Sequence, residues 1–158
     1  TVTRGNGAYG FGAWASPPED AAHGPNGPRN VVYNCDFNSP NTGLWMGGMN
    51  EAWIIAHNRF VVGQGPGVFM KDSSFDHIIV GNVFELKGRT SPMVEIKTAD
   101  CVGVELRDNR LHGGNGSVVG GAGKAAISEG NRPRSSGSAD RPAPPVASIY
   151  EWQRAHAG

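Results

Sequence analysis

One eight-residue phrase returns four times in this chain, and that recurrence constrains the fold more than any other feature. The copies are NVVYNCDF (Asn30–Phe37), WIIAHNRF (Trp53–Phe60), HIIVGNVF (His77–Phe84) and VELRDNRL (Val104–Leu111). Each copy is too apolar for a surface loop and too short for a lone buried helix. The last residues of successive copies lie 23, 24 and 27 positions apart. Self-similarity at about 24 residues is typical of a solenoid.

A second, shorter apolar phrase follows each copy. Its alternating residues are Leu44 and Met46, Val68 and Met70, Val94 and Ile96, and lastly Val118. Period-two alternation that ends at Gly, Asn or Asp predicts strands. The frameworks of leucine-rich and hexapeptide repeats are both absent. The sequence therefore predicts an all-β fold, a right-handed parallel β-helix of about four coils. The segment GRTSP, residues 88–92, is expected to take up the insertion that lengthens the 27-residue coil.

A polar column is predicted at the turn inside each phrase. Two positions before each final apolar residue stand Cys35, Asn58, Asn82 and Asn109. Stacked coils would place these residues about 4.8 Å apart, so that each amide bonds the next amide and the turn backbone. The only other cysteine, Cys101, would lie about 14 Å from Cys35, beyond the reach of a disulfide, so we predict two free thiols.

Composition and charge exclude several classes of function. The 158 residues include 24 glycines and 11 prolines, which favours short strands and many turns. The 14 basic and 14 acidic residues cancel and form no long blocks, which argues against a nucleic-acid partner. No apolar run approaches the roughly 20 residues that span a bilayer, so no membrane span is predicted.

The chain divides into three parts. Residues 1–29 are predicted to hold part of an earlier coil and a long Gly/Pro-rich loop, and residues 30–123 the coils. Residues 124–158 are predicted to form a Pro/Ser/Gly-rich linker and a short C-terminal helix. No capping helix precedes the first coil and the chain starts at Thr1 rather than Met, so we expect the C-terminal portion of a longer β-helix.

An apolar stripe is predicted on the outside of the first strands. It consists of residues that lie between core positions: Val31, Tyr33, Ile54, Ala56, Ile78 and Val80. We expect the C-terminal segment or the loop over residues 13–28 to cover this stripe. A partner chain is the alternative.

The phrases NVVYNCDF, WIIAHNRF and HIIVGNVF, each followed by a Gly-led strand, resemble the right-handed parallel β-helix repeats of the pectin-lyase-like superfamily. The resemblance covers residues 30–121, most of the chain. That superfamily includes lyases, hydrolases, epimerases, phage tailspikes and proteins with no known reaction. The resemblance therefore implies a secreted or cell-envelope protein that acts on or binds polysaccharide, and it leaves the oligomeric state open.

Candidate site residues come from the outward positions of the second phrase. One column would hold Trp45, Phe69 and Glu95, and the next would hold Lys71 and Lys97. Aromatic rings suit the apolar face of a sugar, and charged groups suit its carboxylates and hydroxyls. The alternative is a solvated charged face with two aromatic residues under a loop.

A polysaccharide lyase would need a base for the proton alpha to a uronate carboxyl and a group that stabilises the resulting charge. Lys71, Lys97 and Glu95 are the catalytic candidates, and Trp45 and Phe69 are the substrate-binding candidates. Arg107, in the charged stretch ELRDNR, is a further substrate-binding candidate, although that stretch also fits a solvent-facing terminal strand.

The residues fix no cofactor or metal. Calcium, common in the lyase branch of the superfamily that the chain resembles, is a candidate through Asp72, Asp76 and Asp100. Three functions stay open: a carbohydrate-active enzyme, including a lyase that works by β-elimination; a non-catalytic glycan-binding or structural surface solenoid; and a phage-type adhesin, which would be an obligate trimer.

Overall fold

The structure is a computed structural model that describes residues 2–4, 9–15 and 30–134, with side chains for residues 30–133. The strands form three sheets, here called A, B and C, and every pairing between neighbouring strands is parallel. Sheet A contains, in spatial order, β1 (Val2–Arg4), β4 (Asp36–Ser39), β7 (Arg59–Val62), β10 (Val83–Leu86), β13 (Arg110–Gly113) and β16 (Arg132–Arg134). Sheet B contains β2 (Tyr9–Ala15), β5 (Thr42–Gly48), β8 (Val68–Met70), β11 (Val94–Ile96) and β14 (Val119–Gly121). Sheet C contains β3 (Val31–Tyr33), β6 (Ile54–Ala56), β9 (Ile78–Val80), β12 (Glu105–Arg107) and β15 (Ile127–Glu129).

The chain visits the sheets in the constant order A, B, C, so each turn adds one strand to each sheet. The run from β4 to β15 makes four complete coils. The predicted all-β parallel β-helix of about four coils is therefore confirmed. Within the described residues there is no helix, and hence none long and apolar enough to cross a bilayer.

The repeated phrase is a corner between sheets C and A. In WIIAHNRF, β6 ends at Ala56, the chain bends at His57 and Asn58, and β7 begins at Arg59. The residue before the ladder position has left-handed φ in five successive coils: Asn34 (54°), His57 (53°), Gly81 (62°), Asp108 (53°) and Gly130 (64°). One left-handed residue turns the chain sharply between two short strands, which explains an apolar phrase that is neither helix nor loop.

The asparagine ladder is confirmed. Asn82 is fully buried, and its Oδ1 accepts hydrogen bonds from the backbone N–H (2.8 Å) and Nδ2 (3.0 Å) of Asn58. Its Nδ2 donates to Asn109 Oδ1 at 3.0 Å and to the carbonyl of Ile55 at 2.8 Å. The same pattern continues at Asn131, which accepts from the backbone N–H and Nδ2 of Asn109. Every buried amide of the ladder is thereby paired.

Inward side chains of the three sheets form one core. The rings of Phe37, Phe60 and Phe84 stack with centroids 4.7 and 4.8 Å apart and interplanar angles of 7° and 6°. Aliphatic residues from sheets B and C complete the core, among them Leu44, Met46, Ile55, Val68, Met70, Ile79, Val94, Ile96 and Leu106. The stack leaves no room beside it, because a Cβ on Gly67 would overlap the ring of Phe84.

The corner between sheets B and C contains a buried histidine. His77 Nδ1 accepts a hydrogen bond from the backbone N–H of Trp53 at 3.1 Å, so the proton of the neutral ring resides on Nε2. Nε2 in turn lies 2.8 Å from Ser74 Oγ, and both side chains are fully buried. Burial lowers the pKa of His77 to about 4.

The coils extend beyond the boundary that the sequence indicated at residue 123. β15 and β16 add strands to sheets C and A, and Asn131 adds a fifth member to the polar column. In sheet B the predicted partner of Val94 was also off by one, because Val119 rather than Val118 lies opposite it. The glycine-flanked pair of valines in SVVGG fits either register equally well.

The insertion in the 27-residue coil is shared between two corners. Residues 87–93 join β10 to β11, two more than the five residues 63–67 that join β7 to β8. Residues 97–104 join β11 to β12, one more than the seven residues 71–77 of the preceding coil. The predicted segment 88–92 thus takes two of the three extra residues.

The N-terminal part differs from its prediction in one respect. β1 pairs with β4, as expected for part of an earlier coil. Residues 9–15, predicted to lie in the long loop, instead form β2, which pairs with β5. Of the residues 124–158 predicted to form a linker and a C-terminal helix, residues 127–129 and 132–134 form β15 and β16, and residues 135–158 lie outside the described residues.

Two further predictions concern the cysteines and the apolar stripe. Cys35 and Cys101 are both free thiols, as predicted. The stripe residues align in two columns on the outside of sheet C, and all of them are at least partly buried. The segments expected to cover them lie mostly outside the described residues, so their role stays a prediction.

Candidate glycan-binding face on sheet B

The outer surface of sheet B collects five of the six candidate site residues. Trp45, Phe69 and Glu95 are paired in register on β5, β8 and β11. Their chain neighbours on either side point inward and are fully buried, so these three side chains point outward. Lys71 and Lys97 follow β8 and β11 directly, and the Lys97 N–H donates to the carbonyl of Met70 at 2.8 Å. The predicted columns are therefore present.

The two aromatic rings are nearly parallel, stacked and partly exposed. The centroids of Trp45 and Phe69 lie 6.3 Å apart with an interplanar angle of 11°. Lys71 Nζ lies 5.8 Å from the centroid of the Trp45 ring, within the range of a cation–π contact. The column ends at Gly120, the partner of Glu95 on β14. Two nearly parallel, stacked rings one coil apart give an apolar platform with a cation at its side.

The charged residues of this face form two ion pairs. Lys71 Nζ lies 2.7 Å from Asp72 Oδ2, and Lys97 Nζ lies 3.7 Å from Glu95 Oε1. The Lys97 side chain is 59% exposed. Partly exposed ion pairs contribute only about 0–1 kcal/mol to stability. A ligand carboxylate or hydroxyl can therefore compete for these lysines at small cost.

Arg107 does not belong to this face. It lies on β12 of sheet C, where its Nε donates to Glu105 Oε2 at 3.0 Å and its Nη1 contacts the carboxylate of Glu129. Two carboxylates thus hold the guanidinium along its own sheet. The period-two pattern of ELRDNR was consistent with a solvent-facing strand, and the structure places Arg107 in such a strand.

The calcium candidates do not converge. Asp72 contacts Lys71, the carboxylate of Asp76 lies over Gly103, and Asp100 Oδ2 accepts a hydrogen bond from Ser73 Oγ at 2.7 Å. Across residues 30–133 no group of three or more His, Cys, Asp or Glu side chains is arranged to hold a metal ion. Calcium requires six to eight oxygen ligands, and these carboxylates do not supply a shared set.

The turn after β8 shows what the sequence reading missed. Asp72, the ion-pair partner of Lys71, has left-handed φ (58°), and its backbone N–H donates to Thr98 Oγ1 at 3.0 Å. Hydrogen bonds from Thr98 and then from Ser73 lower the pKa of Asp100. These bonds tie the turns of two neighbouring coils together, beside both lysines. The Lys71–Asp72 ion pair has one signal in the sequence, the dipeptide KD, in which an aspartate directly follows the lysine at the end of the strand.

The arrangement can bind, orient and desolvate a ligand with alternating apolar and polar faces. Neither lysine stands alone as a base, because each contacts a carboxylate. Comparison of the chain with protein-family models, with curated proteins and with solved structures finds no match. The function must therefore be argued from the geometry of this face.

Proposed function

We propose that this β-solenoid binds polysaccharide along the outer face of sheet B without cleaving it. The observation that carries the proposal is the Trp45–Phe69 platform flanked by Lys71 and Lys97. Stacked aromatic rings present the apolar surface on which a pyranose ring packs, and the ammonium groups suit hydroxyls or carboxylates at its rim. Because the platform spans two coils, it fits two neighbouring sugars of a chain better than a single sugar.

The lyase hypothesis has weaker support. It assigns Lys71 or Lys97 as the base and Glu95 as a partner, and these residues do share one face. The ion pairs with Asp72 and Glu95 occupy both ammonium groups, and β-elimination also needs a stabiliser for the developing negative charge. Arg107, the third cationic candidate, lies on a different sheet. Binding is thus the function that the face supports best.

The test is a binding titration with a panel of acidic and neutral polysaccharides, followed by tryptophan fluorescence and by calorimetry. Trp45→Ala and Phe69→Ala should each weaken binding about tenfold or more, because stacking of a ligand ring on an aromatic side chain contributes on the order of 1–3 kcal/mol. Tyr33→Ala removes an aromatic ring from sheet C and is the matched control. Unchanged affinity in both platform variants would exclude this face as the site.

The same titrations separate binding from cleavage. A lyase creates unsaturated ends that absorb in the ultraviolet, whereas a binding module leaves the polymer length and absorbance constant. If unsaturated ends accumulate with the natural chain and not with Lys71→Gln or Lys97→Gln, the enzyme hypothesis replaces ours. Lys124→Gln, an exposed lysine outside the face, controls for loss of charge. With the binding function we propose a secreted or cell-envelope location, which fractionation of the source cells would test.

A further inference from the structure

Two arginines occupy adjacent coils on the outer face of sheet A. Arg110 begins β13 and Arg132 begins β16, and their Cα atoms are paired in register. Both residues are exposed, while the next residue of β13, Leu111, faces the core. Neighbouring strands lie about 4.8 Å apart, so the two side chains leave the sheet side by side. Like charges directly opposite each other destabilise a sheet.

The other two strand arginines within residues 30–133 have acidic partners. Arg59 Nη2 lies 3.4 Å from Glu85 Oε2, and Arg107 contacts two carboxylates on sheet C. Among residues 30–133, by contrast, no ion pair involves Arg110 or Arg132. Among the strand arginines of residues 30–133, the two without an acidic partner are therefore the two that stand next to each other.

The surroundings of the pair do not neutralise it. Val83 lies in the same column between Arg59 and Arg110 and is 1% exposed, so an apolar residue separates the pair from the Arg59–Glu85 ion pair. Asp108, two residues before Arg110, lies at the corner with its carboxylate over Gly130. Within residues 30–133, therefore, no carboxylate forms an ion pair with either guanidinium group.

We propose that Arg110 and Arg132 form a binding site for an oxyanion, a carboxylate, sulfate or phosphate group, separate from the face on sheet B. A guanidinium presents a planar fork of N–H donors that matches two oxygens of such a group. An anion held between the two forks accepts charge-assisted hydrogen bonds from both and cancels their repulsion. The anion is either a free small ion or a group carried on a glycan, and the chemistry of recognition is the same.

The test compares the full chain with the double variant Arg110→Gln/Arg132→Gln. The charge-matched control is Lys87→Gln/Arg89→Gln, two exposed residues in the turn after β10. Melting temperature is followed during a titration with sodium sulfate against sodium chloride of equal ionic strength, because sulfate also stabilises proteins nonspecifically. The natural chain and the control should show a saturable rise, and the double variant should bind at least tenfold more weakly.

Without sulfate, the double variant should melt at a higher temperature than the natural chain, because the like-charge contact is gone. A response to sulfate that is the same in all three proteins, or one that is never saturable, would overturn the proposal. Dextran sulfate, with uncharged dextran as its blank, distinguishes the sources: tighter binding per sulfate group than inorganic sulfate indicates an anion on a glycan, and equal binding indicates a free ion. Trp45→Ala should leave these titrations unchanged, so the anion site is tested independently of the proposed binding face on sheet B.

Discussion

Replacing Asn82 by leucine should destabilise the protein strongly. Asparagine and leucine share the same branched arrangement of side-chain heavy atoms, so the main effect of the substitution is the loss of hydrogen bonds. Four bonds are lost: two that Asn82 Oδ1 accepts from Asn58, and two that its Nδ2 donates to Asn109 and Ile55. The backbone N–H of Asn58 then has no acceptor in a buried corner.

The magnitude follows from these losses. An orphaned buried N–H costs about 1–3 kcal/mol, and each of the three other bonds contributes about 0.5–1.5 kcal/mol net. The sum is about 2.5–7.5 kcal/mol, a large part of the 5–15 kcal/mol that stabilises an ordinary domain. For a chain of this size the melting temperature should fall by roughly 5–30 °C.

Guanidinium denaturation followed by circular dichroism measures the change. Asn131→Leu is the matched comparison, since Asn131 ends the ladder at a partly exposed position where water replaces the lost partner of Asn109. We expect a loss for Asn131→Leu of less than half that for Asn82→Leu. Equal losses of unfolding free energy at the two positions, or wild-type-like melting of Asn82→Leu, would show that the buried amide hydrogen bonds of the ladder do not stabilise the coils.

Three other perturbations test different parts of the fold. Burial lowers the pKa of His77 from 6.5 to about 4, so as the pH falls the unfolded chain takes up a proton before the folded protein does. The contribution of His77 to the free energy of unfolding should be complete above pH 6.5 and should fall by about 3 kcal/mol as the pH drops to 4. Denaturation of His77→Gln should lack this pH dependence. Gly67→Ala should cost on the order of 1–3 kcal/mol in chemical denaturation, because its Cβ would overlap the ring of Phe84; a neutral effect would mean that the aromatic stack yields. Cys35→Asn should raise the melting temperature slightly, because an amide at this position can donate to Asn58 Oδ1. That oxygen already accepts a hydrogen bond from the backbone N–H of Cys35 at 2.9 Å. A lower melting temperature would contradict the idea that the asparagine ladder can be extended by one residue.

The features that could be predicted from sequence are those that depend on spacing. The asparagine ladder recurs at a constant offset within each phrase, so aligning the phrases was enough to predict it. The same alignment puts Phe37, Phe60 and Phe84 at one position, but the stacking of their rings is seen only in the structure. The fifth copy escaped notice because Pro133 stands where Phe84 and Leu111 stand in earlier coils. Without that fifth copy, the pairing of Arg132 with Arg110 could not be predicted from the sequence either.

The candidate site was predicted in outline and missed in detail. Register alone brings Trp45 over Phe69 and Lys71 beside Lys97, and register follows from the repeat. Ion pairs depend on side-chain rotamers and on turn geometry, which a repeat does not specify. The contact of Lys71 with Asp72 therefore required coordinates, and it supports the proposal of binding rather than cleavage.

The corners of this solenoid tolerate changes of length that its strands cannot. Equivalent residues of successive coils lie 23, 24, 27 and 22 positions apart along the chain, yet their pairing in sheet A is preserved. Deleting one residue within a three-residue strand would reverse which side chains face the core. Deleting or adding one at a corner leaves the faces intact. Insertions and deletions during evolution should therefore accumulate in segments such as residues 87–93, where new loops can arise beside an unchanged scaffold.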